Sequence, residues 1–130
     1  MKKKFTCLHT TLGSDNKDVL KLKISKKGKL IIAIGEDKHT NKVKTKITQK
    51  QAQELYSGME DVLETGRCNV IEIDDETSLD VDTVPCFDDT HYCFGIEYEE
   101  YSFDSVHLDR GDFKELSLQI RHFSVEGELL

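Results

Sequence analysis

Two stretches of this chain share one grammar, and they constrain the fold more than anything else in it. Residues 44–55 read KTKITQKQAQEL and residues 105–116 read SVHLDRGDFKEL, sixty-one positions apart. In each, an apolar residue closes a strand-like run (Ile47, Leu108), a side chain suited to helix capping follows (Thr48, Asp109), and an amphipathic helical pattern begins. Such a helix is stable only if its apolar stripe is buried, and the strands just before it are the nearest surface available. Only Glu54/Glu115 and Leu55/Leu116 are identical between the stretches, so the repeat is one of pattern rather than of residues.

The segments before each junction alternate as strands do. Residues 5–12 form a weak first strand. In residues 19–25, Leu20, Leu22 and Ile24 share one face and Lys21 and Lys23 the other. A turn at Lys27 and Gly28 leads into residues 29–35, where both faces carry apolar residues, as in a central strand. Residues 42–47 turn Val43, Thr45 and Ile47 inward and Lys42, Lys44 and Lys46 outward. After a helix over residues 49–64, the second half offers strands at 69–74, 79–84, 91–99 and 101–108 and a helix over 110–123, with the tail SVEGELL frayed or lying against the body. The prediction is an α+β fold: an antiparallel sheet of about six to eight strands with two helices on one face, as a strands-then-helix pseudo-repeat. At 130 residues the chain suits one domain, with halves at about residues 1–66 and 67–130.

Charge divides these halves. Residues 1–58 hold fourteen lysines against five acids, a balance of +9, whereas residues 59–130 hold four Lys or Arg against twenty acids, a balance of −16. The chain as a whole carries −7, which disfavours general affinity for polyanions. An asymmetry of this size points to charged partners, or to halves that neutralise each other across neighbouring strands.

Recognisable catalytic and cofactor patterns are absent: there is no GxGxxG, no GxxxxGK[ST], no HExxH and no GxSxG. The expectation is therefore a protein that is not an enzyme and carries no cofactor. Cys86, His91 and Cys93 are the nearest approach to a metal set, but C-x4-H-x-C lacks a fourth ligand and is not a usual zinc spacing, so no metal is expected. The acids around residues 74–82 have no glycine to make the sharp turn of a calcium loop. Lys2, Lys3 and Lys4 are followed by a run too short and polar for a signal peptide, and no apolar run approaches the length of a membrane span. A cytoplasmic protein with reduced cysteines and no membrane partner is expected.

Two surfaces remain as candidates. The first is acidic: Glu72, Asp74, Asp75, Asp80, Asp82, Asp88, Asp89, Glu97, Glu99 and Glu100. It fits a basic protein partner, as in immunity proteins and phage-encoded inhibitors that occupy a nuclease or a nucleic-acid-binding site. The aromatic group Tyr92, Phe94, Tyr98, Tyr101 and Phe103 reads as core, with any outward member adding affinity to that surface. The second is a lysine face of Lys21, Lys23, Lys42, Lys44 and Lys46, the basis of an alternative reading as a single-stranded nucleic-acid-binding module, although none of its outward neighbours is aromatic. The two faces also permit a homodimer, basic half on acidic half. In architecture, though in no sequence motif, the repeated strands-then-helix plan resembles the Whirly and PUR-repeat single-strand binders, and that resemblance implies a nucleic acid on the sheet.

Overall fold

A computed structural model describes residues 2–8, 18–36, 43–85, 90–99 and 102–130. Ten elements follow in order: β1 (Lys2–Thr6), β2 (Asp18–Ile24), β3 (Leu30–Glu36), β4 (Val43–Ile47), α1 (Gln49–Thr65), β5 (Asn69–Glu72), β6 (Thr77–Pro85), β7 (Thr90–Tyr98), β8 (Ser102–Leu108) and α2 (Arg110–Glu126). The strands-then-helix plan is therefore present twice, and all pairings are antiparallel. The eight strands form two four-stranded sheets, β1-β2-β3-β4 and β5-β6-β7-β8, rather than one continuous sheet. After α1 the chain does not return to β4: β5 packs beside the helix and pairs with β6.

The junctions are built as their residues predict. The Thr48 hydroxyl accepts the Gln51 N–H at 3.2 Å and the Gln51 side-chain oxygen accepts the Thr48 N–H at 3.0 Å, which satisfies two of the free groups at the start of α1. Asp109 accepts the Asp112 N–H at 2.7 Å at the start of α2. Both helices end on a left-handed glycine, Gly66 and Gly127, each with φ of 74° and each donating to the carbonyl four residues earlier. Thus α2 runs past the Phe123 end predicted for it to the same relative stopping point as α1. The tail beyond it lies on the body: Leu129 is buried, and the Leu130 N–H donates to the Gln119 side chain at 2.9 Å.

The sixty-one-residue offset extends through the buried stripes. Leu55, Met59 and Val62 of α1 correspond to Leu116, Ile120 and Phe123 of α2, and all six are at most 1% exposed. Ala52 corresponds to Phe113, a small residue opposite a large one, and the Phe113 ring stacks on Tyr92 at 4.8 Å. The helices run side by side in opposite directions, with the Gln49 amide donating to the Ser124 carbonyl at 3.3 Å and Arg121 over the Tyr56 ring. Inward residues of both sheets and both helix stripes form one apolar cluster. Contacts from β8 to β1, β2 and β3 close it, and the Cys7 sulfur accepting the His107 N–H at 3.3 Å ties the end of β1 to β8. No described helix is long and apolar enough to cross a membrane.

Candidate functional site

With the inward set of each strand spent on that core, period-two alternation fixes what each sheet turns outward. In the second sheet Leu79 and Val81 are buried, so Ser78, Asp80 and Asp82 of β6 point away from the core. Register places Glu72 beside Ser78, Ser78 beside Glu97 and Glu97 beside Phe103 in one row across β5 to β8. The adjoining row is Val70, Asp80, Gly95 and Ser105, and the next sets Asp82 beside Cys93 and Cys93 beside His107.

Of the ten predicted acidic residues, Asp88, Asp89 and Glu100 lie outside the described residues. The other seven separate into two groups. Glu72, Asp74, Asp75, Glu97 and Glu99 are exposed and line one concavity of 740 Å3 together with Val70 and Glu76. Its wall is the β5–β6 turn, in which Thr77 O accepts from the Ile73 and Asp74 N–H groups and the Asp74 carboxylate accepts the Glu76 N–H at 2.9 Å. Glu99 stands at the end of β7 with φ of 53°, the one non-glycine residue among those described in the left-handed region. Asp80 and Asp82 are half-buried farther along the same outward face.

Burial, then the Glu97 and Asp82 carboxylates, push the Asp80 carboxyl above its ordinary value. The same field reaches the thiols. Burial together with Asp82 and Asp80 raises both Cys68 and Cys93, although a hydrogen bond with Ser105 opposes the shift at Cys93. His91 and Cys93 share the outward face, whereas Cys86 lies outside the described residues, as do Tyr101 and Lys42. Among the described residues, no three His, Cys, Asp or Glu side chains gather as metal ligands.

Three of the aromatics occupy the inward side: Phe94 is fully buried, the Tyr92 hydroxyl accepts from Arg110 at 2.9 Å, and the Tyr98 hydroxyl donates to Asp104 at 3.0 Å. Phe103 does not. It is 49% exposed on the acidic face, its ring lying across Gly95 where a Cβ would collide with it. Val70, 57% exposed, is the other large apolar residue there. The signal for Phe103 was parity, since in β8 it falls out of phase with the buried Val106 and Leu108.

The first sheet carries the opposite charge. Lys4, Lys21, Ala33 and Lys44 form one outward row, and Lys23, Ile31 and Lys46 the next. Lys23, Lys44 and Lys46 are exposed and Lys21 is half-buried. Register places lysine beside lysine in the first sheet, Lys4 against Lys21, whereas in the second the carboxylates of neighbouring strands meet on the diagonal, as Asp80 and Glu97 do. Neutralisation of Lys23, Lys44 and Lys46 by Asp80, Asp82, Glu97 or Glu99 across adjacent strands is ruled out, because the two sets belong to different sheets. No protein-family model matches the chain, and no curated protein matches it.

Proposed function

We propose that the protein is a non-enzymatic binding protein whose acidic sheet face covers a basic protein surface, in the manner of an immunity protein or phage-encoded inhibitor set against a nuclease or a nucleic-acid-binding site. One observation carries this reading: carboxylates of the second sheet are crowded together on one outward face, with the Asp80 carboxyl raised by burial and by Glu97 and Asp82. Like charges on neighbouring strands cost stability, and the cost is recovered when a cationic surface arrives. Phe103 and Val70 sit among those charges, and an exposed aromatic inside a charged rim is the composition of an interface centre. Among the described residues no three His, Cys, Asp or Glu side chains gather as metal ligands on this face.

The test is to recover the partner from native cells by co-purification and mass spectrometry, then titrate it with the wild type and with a variant carrying Asp80→Asn, Asp82→Asn, Glu97→Gln and Glu99→Gln. Affinity should fall at least tenfold, and the remaining affinity should depend less on salt. An unchanged affinity and salt slope overturns the proposal.

A further inference from the structure

At the far end of the lysine face, the β2–β3 hairpin turns through a tightly bonded loop. The Gly28 N–H donates to the Ser25 carbonyl at 3.0 Å, the Ser25 N–H to the Lys29 carbonyl at 2.8 Å, and the Lys29 N–H to the Ser25 hydroxyl at 3.0 Å. Gly28, with φ of 81°, takes the left-handed position that lets the loop close. This loop holds Lys26, Lys27 and Lys29 exposed, while Lys23 and Lys46 flank Ile31 in register on either side of β3. The five lysines line a concavity of 510 Å3 whose apolar part is Ile24 and Ile31, and among the described residues no carboxylate lines it.

Lysines often protect a sheet edge from pairing with another chain, but β2 and β3 are the interior strands of this sheet, so Lys23 has no edge to protect. Lys23 and Lys46 stand two strand spacings apart, about 10 Å, and Lys21 and Lys44 repeat that arrangement around Ala33 about 7 Å further along. The result is a pair of cationic rails with a small apolar floor, open at the hairpin.

We infer that this concavity and the rails leading from it form a binding site for a linear chain of phosphates, with the hairpin lysines on phosphate oxygens and Ile24 and Ile31 against whatever apolar part the chain carries. The site is independent of the acidic face and of the function proposed for it. Two sources share this ligand chemistry: the backbone of a single-stranded nucleic acid and inorganic polyphosphate. With no outward aromatic on which bases stack, recognition is of backbone rather than of sequence.

The experiment measures binding of a fluorescent oligothymidylate and of inorganic polyphosphate at low salt, by anisotropy and by competition. Three proteins are compared: wild type, a hairpin variant (Lys26→Gln, Lys27→Gln, Lys29→Gln), and a charge-matched variant altered elsewhere (Lys50→Gln, Arg67→Gln, Lys114→Gln). All three retain Ser25 and Gly28, and circular dichroism confirms that each is folded. The hairpin variant should lose at least tenfold in affinity and the matched variant less than twofold, and losing three phosphate contacts should lower the log–log salt slope by about 2. Binding of oligothymidylate identifies a nucleic-acid strand as the source, and binding of polyphosphate alone identifies polyphosphate. Absence of binding to either, or equal weakening in the two variants, overturns the inference, the latter because attraction would then follow net charge alone. The acidic-face variant should bind these probes at least as well as wild type, so failure here and failure of the acidic-face proposal are read separately.

Discussion

The two sheets are built to one plan and present opposite chemistry. Each has four antiparallel strands in sequence order and feeds a capped seventeen-residue helix that ends on a left-handed glycine. The inward positions are nearly interchangeable in kind, apolar on both sides and merged in one cluster. The outward positions are not: Lys23, Lys44 and Lys46 on one sheet answer to Asp80, Asp82 and Glu97 on the other. The difference teaches that the period-two pattern leaves half of each strand free of the fold's demands, and that this chain uses that half to hold its two charge populations apart.

The comparison is most severely tested through the core. Leu55→Ala and Leu116→Ala, at matching positions of the two helices, should each cost about 2–5 kcal/mol. Because both residues belong to one cluster, denaturant unfolding of either variant should remain a single transition seen alike by fluorescence and circular dichroism. Two separate transitions would mean that the halves fold independently.

A smaller effect separates the outward faces. The folded Asp80 carboxyl lies above its unfolded value, so its contribution to stability is full below the ordinary aspartate range and is lost as pH rises through the raised folded value. Asp80→Asn should therefore stabilise the protein at neutral pH, by a few tenths to about 1 kcal/mol on the scale of a cross-strand charge pair, and the gain should vanish as the pH is lowered into the carboxylate range. Asp112 is raised in the same direction by burial, Asp109 and Glu115, so its titration adds to the same trend in the wild type. On the lysine face, Lys44→Gln should change stability by less than about 0.5 kcal/mol at either pH, since the side chain is exposed. Thermal melts across pH decide both, and a loss of stability in Asp80→Asn at neutral pH would remove the argument that this face is strained by its own charge.

The smallest effect is kinetic. Cys68 is exposed yet its thiol is raised by burial and by Asp82 and Asp80, so alkylation by iodoacetamide near neutral pH should be slower than for a simple thiol. Asp80→Asn with Asp82→Asn should accelerate it. An unchanged rate would show that the acidic field does not reach that edge of the sheet.

Much of this architecture was legible in the chain, and what was missed has identifiable causes. The strand-to-helix junctions could be read because their information is local: Thr48, Gln51 and Asp109 cap the helices that follow them, and the apolar stripes lie at helical spacing. The split into two sheets was not legible, because which strands pair is a tertiary matter that alternation in β4 and β5 does not encode. The end of α2 was misjudged because Phe123 is the last strong apolar residue of its stripe, whereas the stopping signal is Gly127, sixty-one residues after Gly66. The outward carboxylates of β6 and β7 follow from parity, yet which of them share a concavity depends on the β5–β6 turn, and Lys26 and Lys27 of the β2–β3 loop stand in a turn, which has no alternation to read. Phe103 stands close in the chain to aromatics that are buried, but its parity in β8, opposite to that of Val106 and Leu108, sets it apart.

The central claim is that the two outward faces serve separate binding events. Its most direct test is to titrate one recovered basic protein partner with both the acidic-face variant (Asp80→Asn, Asp82→Asn, Glu97→Gln, Glu99→Gln) and the hairpin variant (Lys26→Gln, Lys27→Gln, Lys29→Gln). The account predicts at least a tenfold loss of affinity in the first and less than a twofold change in the second. Equal losses in the two, or no loss in the first, would contradict it.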